Sequence, residues 1–432
     1  MRYYSLQHQS PEVSFTEAAI TGQAPDKGLY FPKYIPKLSA NFIEQFGHYS
    51  KEAIGVTVMQ PYVGTDMPFE ILEKIISETV DFPFPLVDVN HQIASLELYH
   101  GPTLAFKDVG ARFMSRCLGY FNRHGSKKIT VLVATSGDTG GAVANGFLGV
   151  EGVEVIILYP SGRVSPIQEL QLTTLGKNIQ ALEVTGSFDD CQAIVKQAFM
   201  DSELNEVYRL TSANSINVAR WLPQQLYYFY ALQKWHHTEA PVICVPSGNF
   251  GNICAGILAS ISGLPVKHFL AACNENDVIP HFMQTQQYQP KKAVATVSNA
   301  MDVGNPSNFV RILEIYKQQF HQLAADFSSE SISDATTIAT IARVYQQYNY
   351  TLDPHGAVGF AALENYLQNT NNKGIVLETA HPIKFPDTVE KATGIAPEYP
   401  EQVQHLLGQQ KQSVLISPDF EAVKQWLLSR KP

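Results

Sequence analysis

Short apolar segments alternate with helical patterns through most of the chain, and three of them lead into turns rich in glycine, serine or threonine. Continuous apolar strands that alternate with helices are typical of a parallel sheet covered by helices on both faces. The pattern therefore predicts an α/β fold. The predicted strands and their following turns are 128–134 with 135–141, 241–246 with 247–252, and 374–378 with 379–382, and further strands are predicted at 153–159, 179–184 and 266–272.

The three turns lie at the carboxyl ends of their strands. Ligands of parallel α/β sheets bind outside these strand ends, so we expect the turns to converge on one cleft. The proline-rich loops before residue 95 contain no comparable glycine-rich sequence. Candidate chemistry is therefore expected in the three turns and in the segments that pack beside them.

Charge and composition exclude several classes of protein. The 432 residues are 45% hydrophobic and 16% charged, which is typical of a globular protein and excludes a disordered one. Asp and Glu outnumber Lys and Arg by 40 to 31, without the basic stripe of a nucleic-acid-binding protein. The apolar segments are too short to span a bilayer, and the first residues lack the apolar region of a signal peptide.

Metal and disulfide chemistry are not favoured either. The number of cysteines is odd and no Cys-x-x-Cys or His-x-x-x-His pair occurs. This indicates a reduced, cytoplasmic protein without a paired-cysteine zinc site, and we predict no metal. The five cysteines are Cys117, Cys191, Cys244, Cys254 and Cys273.

A lysine in the run His-Gly-Pro-Thr-Leu-Ala-Phe-Lys-Asp, residues 100–108, is the first candidate for catalysis. Apolar residues recur every four positions from Val109, which predicts a buried helix face. Lys107 then lies just before a helix that Asp108 is expected to cap. A lysine in apolar surroundings has a lowered pKa and can form a Schiff base. The alternative is a surface lysine paired with Asp108, which is the commoner arrangement for a lysine considered alone.

The turns carry features of anion sites. In Ser-Gly-Asn-Phe-Gly-Asn, 247–252, backbone N–H groups and a helix N-terminus predict an anion cradle that is neither a Walker loop nor a GxGxxG loop. Thr-Ser-Gly-Asp-Thr-Gly-Gly, 135–141, has the same features and suits a carboxylate. Thr379 is placed to form one hydrogen bond in the cleft. Each turn considered alone also fits a purely structural role, with Asp138 as a helix cap in the second.

The segment Asn-Ser-Ile-Asn-Val-Ala-Arg, 214–220, combines amides, a hydroxyl and an arginine. Arginine suits bidentate binding of phosphate, so the segment is a candidate phosphate site. The alternative is a capped helix start with Arg220 exposed to solvent.

Taken together and in order, these motifs resemble the threonine synthase family, pyridoxal-phosphate enzymes of fold type II. The His-Gly-Pro-Thr-x-x-Phe-Lys-Asp run is highly specific, and the resemblance extends nearly from end to end. Gly-Leu-Tyr-Phe-Pro, 28–32, resembles the longer bacterial and fungal branch. The other matching stretches are 26–32, 135–142, 214–220, 247–252, 298–302 and 379–382.

The resemblance implies an architecture like that of the tryptophan synthase β chain. An N-terminal region, 1–95, precedes a smaller α/β domain, 96–230, and a larger one, 231–432, with the active site between the two α/β domains. The smaller domain holds the Lys107 motif and the 135–142 loop, and the larger holds the 247–252 turn and the C-terminal helices. We expect the domains to close over the substrate so that water is excluded until it is needed.

The resemblance also implies residue roles around the cofactor, pyridoxal 5'-phosphate. Lys107 holds the cofactor aldehyde and acts as the general base, and Thr379 meets the pyridine nitrogen. Asp138 contacts the phenolic oxygen at a position where many fold type II enzymes have asparagine, and a carboxylate there repels a phenolate unless one of them holds a proton. The cradle for the cofactor phosphate comprises Gly248, Asn249, Phe250, Gly251 and Asn252.

The implied reaction converts O-phospho-L-homoserine and water to L-threonine and phosphate by γ-elimination and β-addition of water. The substrate is a small molecule, without nucleic-acid or membrane partners, and both a monomer and a dimer remain open. The residues implied to bind the substrate carboxylate are Ser136, Gly137 and Thr139, and those near its phosphate are Asn214, Ser215 and Arg220.

Three other functions are alternatives to this hypothesis. A serine or threonine dehydratase shares the fold, but the phosphate-binding segment 214–220 argues against it. A non-catalytic relative is expected to lack Lys107, which is present. A nicotinamide-dependent oxidoreductase is expected to carry GxGxxG with a following acidic residue, which is absent.

Overall fold

The strands form three sheets in the computed structural model, which describes residues 1–430. Two sheets are large and predominantly parallel, and the third is a two-stranded antiparallel ribbon near the N-terminus. The strands are β1 (Tyr3–Ser5), β2 (Tyr30–Pro32), β3 (Leu86–Asp88), β4 (Ile93–Glu97), β5 (Ile129–Ala134), β6 (Val153–Pro160), β7 (Ile179–Val184), β8 (Arg209–Thr211), β9 (Val242–Pro246), β10 (His268–Cys273), β11 (Phe327–Ser331), β12 (Gly374–Glu378) and β13 (Val414–Ile416).

Helices cover both faces of the large sheets. Within residues 1–430, four short 3₁₀ helices lie between other elements: Phe46–His48, Leu222–Gln224, Asn299–Met301 and Pro382–Lys384. The α-helices are α1 (Phe15–Thr21), α2 (Ala40–Gln45), α3 (Lys51–Val63), α4 (Phe69–Thr79), α5 (Lys107–Asn122), α6 (Asp138–Phe147), α7 (Pro166–Thr173), α8 (Phe188–Met200), α9 (Ser202–Val207), α10 (Val218–Trp221), α11 (Gln225–Gln233), α12 (Gly251–Ile261), α13 (Val278–Thr285), α14 (Phe309–Ile315), α15 (Phe320–Asp326), α16 (Asp334–Tyr348), α17 (Pro354–Leu367), α18 (Pro386–Thr393), α19 (Glu401–Gln404) and α20 (Phe420–Arg430).

The larger sheet has six strands in the order β11-β10-β9-β12-β4-β3. All neighbours are parallel except β3, which runs antiparallel to β4 at the edge. Ile375 of β12 pairs with Ala94 on one side and Ile243 on the other. Strands β4, β9 and β12 are buried along their whole length, as expected for central strands with helices on both faces.

The smaller sheet has five parallel strands in the order β13-β7-β6-β5-β8. Alternate residues of β5 enter different cores: Val131 and Val133 pack in the main core, and Leu132 packs with α8 and α20 on the other face. This period of two explains why the strand is apolar throughout. The six strands predicted from the sequence are present within two residues of their predicted ends, and the predicted α/β class is confirmed.

Sheet membership does not follow the three predicted chain segments. Strand β4, which ends at Glu97 near the predicted boundary, pairs with β12 in the larger sheet. The C-terminal tail was predicted as helices of the larger domain, but β13 pairs with β7 and completes the smaller sheet. Val423 and Leu427 of α20 pack in the core of that sheet because their helix lies against α8. A three-residue strand is too short for hydrophobic periodicity to reveal it.

Hydrogen bonds connect the N-terminal region to the 214–220 segment, which contains Arg220. Asn217 donates a side-chain hydrogen bond to the carbonyl oxygen of Ala19 at 2.8 Å. Arg311 of α14 donates to the carbonyl oxygens of Tyr30 and Ile216, so it joins β2 to the same segment. Within residues 1–430, every helix is too short or too polar to cross a bilayer.

Candidate active site

The segment before Lys107 is hydrogen-bonded to the segment after β12. The N–H of Phe106 donates to the carbonyl oxygen of Thr379 at 2.9 Å, and the N–H of His381 donates to that of Leu104 at 3.1 Å. This short antiparallel contact also includes a bridge between Ala105 and Ala380. The predicted lysine and the predicted threonine are thereby brought together at the carboxyl end of β12.

Helix α5 begins at Lys107 itself, and its start is not capped as predicted. Phe106 occupies the N-cap position without a side-chain cap. The carboxylate of Asp108 instead accepts hydrogen bonds from the N–H and the hydroxyl of Thr103, at 3.0 and 2.5 Å. It closes the 101–108 loop tightly, since a Cβ at Gly101 would lie 2.4 Å from Oδ2 of Asp108. The prediction that Asp108 caps the helix is therefore wrong.

Lys107 has the environment of a nucleophilic amine. Burial lowers the pKa of Lys107; Asp138 acts in the opposite direction, and Lys384 and Arg220 lower it further. Its Nζ lies 5.4 Å from the centroid of the Phe106 ring. Because Asp108 is engaged by Thr103, the alternative of a surface lysine paired with Asp108 does not hold. The lowered pKa favours the neutral amine that a Schiff base requires.

The 135–141 turn is largely the first turn of α6. The hydroxyl of Thr135 accepts the N–H groups of Gly137 and Gly140, at 3.0 and 2.8 Å, and the helix begins at Asp138, within the predicted turn. Gly137 has a φ of 138°, a conformation that favours glycine. Ser136 and Thr139 are partly exposed beside it.

Asp138 is buried, and two side chains hold its Oδ1. Lys384 donates from Nζ at 2.7 Å and Gln168 from Nε2 at 2.9 Å. Burial by itself raises the pKa of Asp138, but Lys384 and Lys107 outweigh it and hold the pKa well below its usual range. Asp138 is therefore an ionised carboxylate with a cation beside it.

Lys384 was not among the residues predicted for the site. It ends the 3₁₀ helix after β12 and its side chain is fully buried against Asp138. A fully buried lysine requires an anionic partner, and an apolar run around the lysine, Pro-Ile-Lys-Phe-Pro, is the only sequence signal for its burial.

The 247–252 turn has the geometry of an anion cradle. None of the backbone N–H groups of residues 248–252 forms a hydrogen bond within residues 1–430. Phe250 adopts the left-handed conformation at the N-cap of α12 and packs on Phe309, with ring centroids 5.8 Å apart. A Cβ at Gly248 would lie 2.7 Å from Cα of Met301, so only glycine fits there. Free N–H groups at a helix N-terminus bind phosphate.

Side chains of the turn secure it to its neighbours. Asn249 accepts the N–H of Ser307 at 2.6 Å and donates to the hydroxyl of Ser215 at 3.2 Å. Asn252 donates to the carbonyl oxygen of Pro246 at 2.8 Å, and its own carbonyl oxygen accepts the hydroxyl of Tyr228. These bonds leave the backbone N–H groups available for a ligand.

The 214–220 segment lies against this turn. The hydroxyl of Ser215 accepts hydrogen bonds from Asn249 and Asn308, at 3.2 and 3.3 Å. Asn214, next to it, is partly exposed. Asn217 caps α10 through the N–H of Ala219 at 2.9 Å, which is the predicted structural feature of this segment.

Arg220 is buried, contrary to the alternative that it faces solvent. It is 3% exposed, and Nε and Nη1 have no hydrogen-bond partner within residues 1–430. Burial lowers its pKa to about 10, although Tyr227 and Asp108 raise it. A buried guanidinium without a partner is costly, and a bound anion would relieve that cost.

Thr379 is buried at the end of β12, and its carbonyl oxygen is held by Phe106. Its hydroxyl forms no hydrogen bond to the part of the chain that the structure describes, so it is available to a ligand. The preceding Glu378 accepts the N–H of Asp353 at 2.6 Å, and burial raises the pKa of its carboxyl. Within residues 1–430 no cluster of side chains suited to a metal is present.

Comparisons with known proteins match the chain to one enzyme family. Family models described as "Threonine synthase N terminus", "Pyridoxal-phosphate dependent enzyme" and "Threonine synthase, C-terminal" match residues 2–80, 85–378 and 356–427. Threonine synthase of Escherichia coli (strain K12) is 40% identical over 433 residues, covering 100% of both chains.

Two solved structures are also closely similar. The crystal structure of threonine synthase from Escherichia coli superposes with a TM-score of 0.92 at 40% identity, covering 99% of this chain and 100% of that one. The PLP-bound threonine synthase from Brucella melitensis superposes with a TM-score of 0.94 at 33% identity, covering 100% of this chain and 99% of that one.

The fold and the site define a pyridoxal-phosphate-dependent enzyme of fold type II. Both the N-terminal and the C-terminal family models match, and relatives align over the full chain. The chain belongs to the threonine synthase family.

Proposed function

We propose that the enzyme converts O-phospho-L-homoserine and water to L-threonine and phosphate, as a carbon–oxygen lyase. The proposal is carried by one observation: two separate groups of hydrogen-bond donors in this site that could bind an anion have no partner within residues 1–430. The free N–H groups of residues 248–252 suit the cofactor phosphate, and the buried guanidinium of Arg220 suits the phosphate of the substrate. A dehydratase acting on an unphosphorylated amino acid has no use for the second set.

The residues fit pyridoxal phosphate through features of the structure itself. The cradle comprises Gly248, Asn249, Phe250, Gly251 and Asn252, where a Cβ at Gly248 would collide with Met301. Lys107 would hold the aldehyde, the hydroxyl of Thr379 would meet the ring nitrogen, and Asp138 would lie near the phenolic oxygen. When bound, the cofactor supplies an electron sink for the charge that develops on the substrate α carbon.

The substrate carboxylate is assigned to the start of α6. Ser136 and Thr139 offer hydroxyl and N–H groups there, Gly137 lies between them with its own N–H bonded to Thr135, and the positive end of the helix dipole faces the same point. Asn214, Ser215 and Arg220 are assigned to the substrate phosphate. The proximity of Ser215 to Asn249 supports placing both phosphates on this side of the cleft.

Lys107 is assigned the proton transfers. Its lowered pKa favours the neutral amine, which is required of a general base that serves the α and β carbons and returns a proton at the γ carbon. Arg220 would stabilise the phosphate as its bond to the γ carbon breaks. The threonine hydroxyl then comes from water that adds at the β carbon.

An assay of the purified protein with added pyridoxal phosphate tests the proposal. We expect O-phospho-L-homoserine to yield phosphate and threonine in equal amounts. Phosphate accompanied by a keto acid would instead indicate elimination without productive water addition. L-Serine and L-threonine serve as matched substrates, and release of ammonia from either at a higher kcat/KM would favour a dehydratase.

We also propose the cytoplasm as the compartment of the enzyme. All five cysteines are buried and free, which fits a reducing environment. Fractionation of cells that produce the full-length protein tests this, and recovery in a membrane or secreted fraction would contradict it.

A further inference from the structure

The ion pair between Lys384 and Asp138 connects the two large sheets inside the site. Lys384 follows β12 of the six-stranded sheet, and Asp138 follows β5 of the five-stranded sheet. Their Nζ and Oδ1 atoms are 2.7 Å apart, and the two side chains are 0% and 4% exposed. No residue of the predicted cofactor or substrate set other than Asp138 bonds to Lys384.

The carboxylate of Asp138 is only partly engaged. Its Oδ1 accepts hydrogen bonds from both Lys384 and Gln168, and the side-chain oxygen Oε1 of Gln168 in turn accepts the N–H of Ser165 at 3.1 Å. Its Oδ2 accepts no hydrogen bond within residues 1–430. The pair therefore fixes the direction of the carboxylate while leaving one oxygen free.

Removing Lys384 would leave a buried carboxylate without its main counter-charge. Breaking a buried ion pair from one side is strongly unfavourable because the remaining charge stays desolvated. A bound pyridoxal phosphate would bring further negative charge to the same place, at its phenolic oxygen. If the charges of Lys384 and Asp138 are removed together, no unpaired buried charge remains, and no carboxylate is left to repel the phenolic oxygen.

We propose that Lys384 is a positioning residue for pyridoxal phosphate: its ammonium neutralises Asp138, so that this carboxylate can lie beside the phenolic oxygen of the cofactor. The proposal rests on the proposed function to the extent that Asp138 contacts the cofactor. It explains how this chain accommodates an aspartate where many enzymes of the fold have asparagine. Lys384 itself acts through Asp138 and is given no contact with the substrate.

A double-mutant cycle on the apo protein tests the proposal. The dissociation constant for pyridoxal phosphate is measured by equilibrium dialysis for the wild type, Lys384→Met, Asp138→Asn and the double variant. We expect Lys384→Met to weaken binding roughly tenfold, and the double variant to recover to within about threefold of Asp138→Asn. Lys51→Met is the matched control, because Lys51 donates only to the carbonyl oxygens of Val80 and Phe82.

Two outcomes would overturn the proposal. One is binding by Lys384→Met within twofold of the wild type, and the other is a double variant no better than Lys384→Met. If Lys384→Met does not fold, as judged by circular dichroism, Lys384→Arg keeps the charge and is expected to bind with wild-type affinity, and loss of binding there would contradict the account. Threonine formation by the wild type is measured separately, so failure of the proposed reaction is distinguishable from failure of this pair.

Discussion

The N–H of Phe106 donates a hydrogen bond to the carbonyl oxygen of Thr379 across 2.9 Å. It joins the residue before the proposed Schiff-base lysine to the residue proposed to meet the ring nitrogen of the cofactor. One backbone contact between the start of α5 and the end of β12 thus positions both of the residues proposed to hold the ring. Because this bond is made by backbone atoms, it does not depend on the side chains of Phe106 and Thr379. Replacing either side chain is therefore expected to impair the site only if that side chain has a chemical role.

Lys107 is the first residue to test. We expect Lys107→Ala to lower kcat at least roughly 1,000-fold, because it removes both the Schiff-base amine and the general base. Lys107→Arg is the matched control, since it keeps the charge but cannot supply a neutral amine. Steady-state formation of threonine measures both, and turnover of either variant within tenfold of the wild type would show that another group carries the chemistry.

Arg220 is expected to contribute to substrate binding but not to the stability of the apo protein. Replacing its unpaired guanidinium in Arg220→Met should raise KM for the phosphorylated substrate roughly 10- to 100-fold. The thermal midpoint of the apo protein should not fall, because the variant removes a buried charge without a partner. An unchanged kcat/KM, or a clear loss of apo stability, would place Arg220 in a structural role.

The substitution Gly248→Ala, which adds one methyl group, tests whether the 247–252 turn binds the cofactor phosphate. Gly248→Ala would place a Cβ 2.7 Å from Cα of Met301, so either the turn or the 299–301 helix must shift. We expect affinity for pyridoxal phosphate to fall at least roughly tenfold in equilibrium dialysis. Gly47→Ala is the matched control, because a Cβ there meets nothing within 4 Å. Equal affinities for the two variants would argue against the cradle.

The lowered pKa of Lys107 also predicts a pH dependence of apo stability. Below its lowered pKa, folding must bury a charge that the unfolded chain keeps hydrated, so the lysine destabilises the apo protein there. That destabilisation disappears as the pH rises from the lowered pKa towards the usual value. The apo Lys107→Met variant should therefore be more stable than the wild type at pH about 7, by a margin that shrinks at pH about 10. Denaturant unfolding at both values measures the margin, and a margin that grows with pH would contradict the assigned direction.

The secondary-structure elements could be predicted from local sequence patterns. The hydrogen-bond partners and the burial of several site residues could not, because they depend on contacts between distant parts of the chain. The strands and glycine turns were predictable because an apolar strand followed by a small polar turn is a local signal. The loop closed by Asp108 and Thr103 was not, because an acidic residue at a helix start is usually a cap. The burial of Arg220 depends on packing around α10 and Gly110, where a Cβ would lie 2.6 Å from the Arg220 carbonyl oxygen. The partner of Asp138 lies 246 residues away in the chain, at Lys384, and no spacing rule relates them.

The origin of the oxygen atoms in the products distinguishes the proposed reaction from simple hydrolysis of the substrate. The proposed reaction breaks the bond between the γ carbon and the phosphate oxygen, and then adds water at the β carbon. With O-phospho-L-homoserine in ¹⁸O-labelled water, we predict label in the hydroxyl of threonine and none in the released phosphate at early times. Label in the phosphate, with homoserine as the other product, would show hydrolysis at phosphorus and would contradict the account.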